Sequence, residues 1–335
     1  MSDNSDLQIY AQAKDLPETW DLTTGANFFL HQGSLSVIEQ SNPCKQRYLF
    51  INSDNTAAIV SYVHKLDIFT YSSLSFKMDI TITGVPCSVS DPGLSTTDDS
   101  RVFTFLKKQK GAQLILNVNE KLELDGFIRG TTLPACEIDI HWTSFEAYLA
   151  ALRSHYRYRF KKARKKFKDV EVMHLSSPAE FDENLHQLYL NVFQKSKAKL
   201  EQLSLDFFQK FPAQITVFKK EKKPLGFVQY IIHDSQCIFM FGGMDYVQNK
   251  KHDTYLNMLL YLVEVAINNG CTSINLGQTA EGVKQKLGCT LRPKYMYVRH
   301  SNPIIHTLFK LFIGMLSYKV PSEVYKVFNT PGGQA

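Results

Sequence analysis

The chain has 335 residues, 44% of them apolar, with abundant phenylalanine and tyrosine and a net charge of +6. That length suits two domains and that composition builds cores, which excludes wholesale disorder, while the mild basic excess admits anionic partners without requiring them. The six cysteines form no CxxC pair and no zinc-type spacing with histidine, so they read as reduced, buried thiols of a cytoplasmic protein.

In chain order, the polar start MSDNSDLQIY carries no signal-peptide pattern. NFFLHQGSLSVIEQ reads as a helix. The runs RYLFI, AAIVSYVHKL and LSFKMDITI read as strands, the first two joined by a hairpin turn at SDN. A polar loop, PCSVSDPGLSTTDDS, leads to a helix at RVFTFLKKQKG and a strand at AQLILNV. The second half repeats this order. AQITVFKK and PLGFVQYIIHD form a hairpin around EKKP, and QCIFMFGGM is a third strand. A polar loop, DYVQNKKHD, precedes the long helix TYLNMLLYLVEVAINN, which Gly270 terminates, and the strand TSINL follows. The shared plan is strand, strand, strand, loop, helix, strand. Near the C-terminus PIIHTLFKLFIGML is too short to span a bilayer; it fits a helix packed on the core, with peripheral contact to a membrane surface as the alternative.

Between the halves, SFEAYLAALRSHYRYRFKKARKKFKD places Leu149, Leu152, Tyr156, Phe160, Ala163 and Phe167 on one face of a long helix. The opposite face carries Arg153, Arg157, Arg159, Lys161, Lys162, Arg164, Lys165, Lys166 and Lys168, with no acid between Glu146 and Asp169. A solvated face and an anion-holding face are both consistent with this run. A single-sign run forgoes the i,i+4 ion pairs that ordinarily support such helices, and that favours a role with phosphates.

The second segment of interest is INLGQTAEGVKQKLGC, residues 274–289. It reads as a strand end followed by a short helix, Thr279 to Leu287, stopped by Gly288. Ala280, Val283 and Leu287 share the face expected to dock on the core. Lys284 borders that face, whereas Lys286 points further out toward solvent.

These features resemble tandem GCN5-related N-acyltransferase (GNAT) folds, in the form of the Fem-type peptidyltransferases and the FemAB-like or CelD/BioF2-like acetyltransferase domains. The resemblance rests on the basic helix LRSHYRYRFKKARKKF, on LGFVQYIIHD followed by CIFMFGGMD, on LNMLLYLVEVAINNGCTSINLG, and on Val283, Lys284, Gln285, Lys286, Leu287 and Gly288. It implies an α+β (mixed α/β) fold class, with two GNAT-like domains that each form a mixed twisted sheet flanked by helices. The expected division is 1–140 for the first domain, 141–168 for a connecting basic helix, 169–320 for the second domain with the donor cleft, and 321–335 for a tail.

The implied activity is transfer of an acyl or aminoacyl group to an amine, on a small molecule or a cell-wall-type precursor. The donor is an acyl-CoA or an aminoacyl-tRNA, used as a co-substrate, with no tightly bound cofactor and no metal. A helix N-terminus after the third strand of a half suits a pyrophosphate. CoA-dependent relatives carry a glycine-rich loop there, and this chain has no glycine between Gly243 and Gly270. The expected donor contacts are therefore Lys250, Lys251, His252, Gln278 and Thr279, with Arg157, Arg159, Lys161 and Arg164 available to an anion or tRNA. Asp245 is the candidate general base, with helix capping as its other reading, and Tyr297 the candidate proton donor, unless it is core. Lys284 is the expected contact to an anionic donor or to the oxyanion. The competing reading is a non-catalytic RNA-binding or scaffold protein on the same fold.

Overall fold

A computed structural model describes residues 7–329 apart from 43, 53–55, 70–73, 88, 98, 120–123 and 197–199. The expected SDN turn lies outside these described residues. Two compact units each combine a mixed sheet with helices. The first comprises Met1–Leu133, Lys197–Phe207 and Pro293–Val320, the second Pro134–Ser196, Phe208–Arg292 and Pro321–Ala335.

The first unit contains β1 (Leu7–Tyr10), α1 (Thr19–Thr24), α2 (Gln32–Ser41), β2 (Gln46–Ile51), β3 (Ala57–Asp67), β4 (Lys77–Thr83), β5 (Leu94–Thr96), α3 (Asp99–Lys107), β6 (Ala112–Val118) and β7 (Ile128–Thr131). The second contains β8 (Ala135–Asp139), α4 (Phe145–Ala151), α5 (Ser154–Lys166), β9 (Glu171–His174), α6 (Glu183–Lys195), α7 (Leu205–Lys210, begun in the first unit), β10 (Gln214–Lys220), β11 (Lys223–His233), β12 (Gln236–Met244), α8 (Tyr246–His252), α9 (Thr254–Asn268), β13 (Ser273–Asn275), α10 (Glu281–Gln285) and β14 (Thr290–Arg292). The chain then returns to the first unit with β15 (Tyr295–His300) and α11 (Pro303–Leu316).

Each sheet borrows a strand across the sequence. The first runs β1-β2-β3-β4-β6-β15-β7, with β5 on β3; the second runs β14-β8-β13-β12-β11-β10-β9. Thus β15 enters between β6 and β7, antiparallel to both, and β8 enters between β13 and β14, again antiparallel to both. One parallel pair stands in each sheet, β4 with β6 and β12 with β13.

The local chemistry of the second unit explains its elements. The β10–β11 and β11–β12 hairpins each close in two residues, Glu221-Lys222 and Asp234-Ser235, all at positive φ. That is the turn whose twist matches the strands. α9 is apolar almost all round, which requires burial, and Leu259, Leu260, Leu262, Val263 and Ala266 are fully enclosed. Each large side chain so buried contributes about 1.5–3 kcal/mol, making α9 the post of this core. It ends as expected at Gly270, φ 66°, where Cys271 N–H donates to the Ala266 carbonyl and Gly270 N–H to that of Ile267.

Three expectations change. The connecting helix is two helices, broken at Leu152–Arg153, both extended. Nothing local breaks it; the segment around Phe328 does. Arg153 N–H donates to the Val327 carbonyl, and Leu152 bridges to Phe328. The apolar face still holds, with Leu152, Phe160 and Ala163 buried. DYVQNKKHD is a helix, α8, rather than a loop. The helix at PIIHTLFKLFIGML forms, but only part of its apolar surface faces the core: Phe309 and Leu316 are buried, whereas Ile304, Leu308, Leu311, Phe312 and Met315 are exposed. Among the described residues no helix is long and apolar enough to cross a membrane. All six cysteines are buried and unbridged.

Candidate active site

The parallel pair of the second unit opens. β12 and β13 are in register only from Gln236–Ile238 against Ser273–Asn275. Beyond Ile238, β12 runs on through Phe239–Met244 with only β11 beside it, and a register shift there leaves Met240 as an extra residue that bends the strand. On the other side of the opening the chain passes from β13 through Leu276 and Gly277, both hydrogen bonded to Cys136 on β8, into the turn Gln278-Thr279-Ala280 and α10.

That turn is strained. Thr279 and Ala280 are both left-handed, φ 64° and 52°. A β-branched residue rarely adopts this conformation, and such outliers persist where the surroundings over-determine them. Lys284 supplies the constraint. It is 2% exposed, and its Nζ donates to the Gln278 carbonyl at 2.7 Å. This takes one of the three ammonium donors. Burial holds the Lys284 ammonium below the ordinary lysine range, partly opposed by Cys136 and Cys289 and then by Glu281, also buried. The same cluster includes Cys136 and Cys289, whose thiols burial pushes up, that of Cys136 to about 11, and Tyr255, whose hydroxyl burial likewise raises. A lysine amine, a glutamate and a phenol thus share one corner beside the Gln278-Thr279-Ala280 turn.

The docking face of α10 differs from expectation. Glu281, Lys284 and Gln285 are its buried residues, while Ala280 is exposed and Val283 half-buried; Leu287 is fully buried as expected. Gln285 donates to the Glu323 carbonyl, and Lys286 lies 5.0 Å over the Tyr325 ring rather than standing free in solvent.

The other candidates separate by role. Asp245 is the N-cap of α8: its Oδ1 accepts from the N–H groups of Val247 and Gln248 at 2.8 and 3.2 Å. Lys250 and Lys251 are exposed, but His252 is buried, with Nδ1 3.3 Å from the Lys166 carbonyl, which removes it as a solvent-facing donor contact. Tyr297 lies on β15, in the first unit's core, 1% exposed. It packs among Ile59, Phe103 and Ile115, because β15 belongs to the first unit's sheet. Arg157 is spent on the end of α4, where Nη1 donates to the carbonyls of Ala150 and Leu152. Arg164 pairs with Glu264 at 2.7 Å and lies 4.8 Å over the Phe145 ring. Arg159 and Lys161 remain exposed on α5, as expected.

The start of α9 is held from within the chain. Asn249 Oδ1 accepts from the Tyr255 N–H at 2.8 Å, and the buried Asn257 amide lies within 3.2 Å of the carbonyls of Ala163, His252 and Asp253. The Asn257 bonds lash α5, α8 and α9 together, and the Asn249 bond takes one N–H of the first turn of α9. Two participants escaped the sequence reading. Tyr255 comes within electrostatic range of Cys136, Cys289 and Glu281 only through the fold. Gln229, opposite Phe241 in the stretch of β12 beyond β13, is fully buried with neither carboxamide atom hydrogen bonded.

Two mixed sheets, each with one parallel strand pair, and in the second an opening after a bent strand, define the GNAT fold. Residues 152–285 match the family model described as an acetyltransferase (GNAT) domain. The chain also shares its overall fold with solved structures at low sequence identity. It is similar to L-PGS from Bacillus licheniformis, with 15% identity and a TM-score of 0.54, over 91% of this chain and 98% of that one. FemX gives 10% identity and a TM-score of 0.51, over 82% and 92%. The C-terminal domain of a putative lysylphosphatidylglycerol synthetase from Agrobacterium fabrum gives 10% and 0.51, over 83% and 90%. Comparison with curated protein sequences gives no match.

Proposed function

We propose that the chain transfers an acyl or aminoacyl group from an activated donor to an amine acceptor, with the donor seated where β12 parts from β13. The observation that carries this reading is the opening itself, with a buried lysine fixed at its edge. Strand separation exposes backbone donors that can align an acyl carbonyl, and Lys284 offers positive charge in a dry corner, where it is worth most to a developing oxyanion. Its bond to Gln278 also sets the Gln278-Thr279 turn that meets the donor. Asp245 acts here by turning the chain from β12 into α8.

Two donors fit the reaction, an acyl-CoA and an aminoacyl-tRNA. The absence of glycine from Met244 to Asn269, with the Tyr255 N–H already taken by Asn249, favours the second. The exposed Arg159 and Lys161 suit its phosphates. The acceptor is an amine of a small molecule or of a cell-wall-type precursor. The test is mass spectrometry of products after incubation with a panel of acyl-CoAs or charged tRNAs and amine acceptors. A donor-dependent acylated amine, lost on RNase treatment, is expected. No product with any donor, together with no thermal protection by one, sinks the proposal and leaves salt-sensitive RNA binding by α5 as the surviving reading.

A further inference from the structure

We infer that α11 is a membrane-docking helix, lying flat on an anionic lipid surface through the apolar stripe it leaves uncovered. At about 100° per residue, Ile304, Leu308, Leu311 and Met315 fall on one narrow line, with Phe312 at its border. All five are exposed, Ile304 to 71% and Leu311 to 72%. A separate line, Ile305, Phe309, Ile313 and Leu316, faces the first unit's core. The stripe is therefore surplus to what holds the helix in place. His306, Thr307 and Lys310 occupy the remaining arc.

A second element extends the patch. Phe69 contacts the Phe312 ring at 6.3 Å, and Phe76, paired through its carbonyl with the Ile68 N–H, is exposed together with Leu74. Isolated exposed apolar residues need no explanation; a continuous stripe of this extent does. Charge identifies the occupant. No aspartate or glutamate stands between Glu281 and Glu323, while Arg299, Lys310 and Lys319 lie on or beside the helix. A helix stripe flanked by Arg299, Lys310 and Lys319, with the Asp67 carboxylate tied to Phe69 and Phe76 as an acid at the far end of the patch, matches a bilayer with acidic headgroups, and 14 residues are too few to cross one. This inference is independent of the reaction proposed above.

The test is flotation of the full chain with vesicles of phosphatidylcholine alone, or of phosphatidylcholine with an equal part of phosphatidylglycerol. Binding to the second and much weaker binding to the first are expected. Leu311→Gln with Leu308→Gln should reduce binding at least tenfold, and Lys310→Glu by roughly fivefold or more. Both sites are exposed, so thermal unfolding should not change. No flotation with either vesicle overturns the inference, as does flotation indifferent to the stripe. So does a wild-type dimer in sedimentation equilibrium that Leu311→Gln dissociates, since a second copy would then cover the stripe.

Discussion

The parallel pairs of the two units invite comparison, because each sheet has one and they are built to different ends. In the first unit β4 pairs with β6 at Ile80–Thr83, up to the last residue of β4. In the second, β12 and β13 part after three pairs, and six residues of β12 continue alone on that side. In the first unit β6 also runs on past that pairing, through Leu116–Val118, so the two halves differ in which strand continues, β6 in the first and β12 in the second. At the edge of the second stand the buried Lys284 and the left-handed Thr279-Ala280 turn; the first unit also buries a lysine, Lys294, which donates to Asn119 just past β6, a strand in which Asn117 is left-handed. The two copies thus share a plan and differ in which strand outruns the parallel pair, and the proposed donor seat lies on the β12 side.

The sharpest way to break this contrast is to remove Lys284. Lys284→Met should lower the acyl-transfer rate about 100-fold or more yet leave the fold intact, since the replacement fills the space without a buried charge. Unchanged kinetics would detach the lysine from the reaction. Its titration offers an independent check. The folded-state pKa lies below the ordinary 10.5, so between the two values the unfolded chain binds the extra proton and stability rises with pH. The stability that Lys284→Met gains over the parent in denaturant titrations should therefore shrink as pH is raised toward that value. A constant gap would mean the ammonium is not depressed.

Gly243 tests the strand itself. A Cβ there would lie 2.4 Å from the Phe227 ring and 2.5 Å from the Tyr189 nitrogen on α6. Gly243→Ala should cost about 1–3 kcal/mol in thermal or chemical unfolding and displace the end of β12. A smaller effect sharpens the contrast further. Each sheet buries a glutamine without hydrogen-bond partners, Gln46 on β2 and Gln229 on β11. Substitution by leucine should stabilise either one by about 1 kcal/mol, but only Gln229→Leu should alter turnover. Equal kinetic effects from both would mean that the two halves are not distinguished as proposed.

What was legible in the sequence follows from the range of the forces involved. The hairpins, α9 and its Gly270 stop are written in local periodicity and turn chemistry, and they appear where expected. The break at Leu152 was not legible, because a segment some 175 residues later causes it. α8 was hidden inside a polar stretch, since its stability comes from the Asp245 cap and the Asn249 and Asn257 tethers rather than from an apolar face. Lys284 could be singled out by its position on α10, but the sequence made the wrong face dock. A pattern rule expects Ala280 and Val283 inside, whereas a constrained turn and a lysine-to-carbonyl bond put Glu281, Lys284 and Gln285 there. Tyr297 went astray for a topological reason, as its strand serves the other sheet.

The exchanged strands have a consequence for how the chain comes into being. A ribosome makes β6 and β7 long before β15, the strand that must lie between them. Until roughly nine-tenths of the polypeptide has been synthesised, the first sheet waits with an unfilled slot, and the exposed rim of β6 must be kept from self-association. A fragment ending near residue 140 should therefore precipitate on expression, and supplying residues 293–320 as a separate peptide should recover part of it in soluble form. Completion of the N-terminal unit is a late event in the life of this molecule, set by the order in which its residues leave the ribosome.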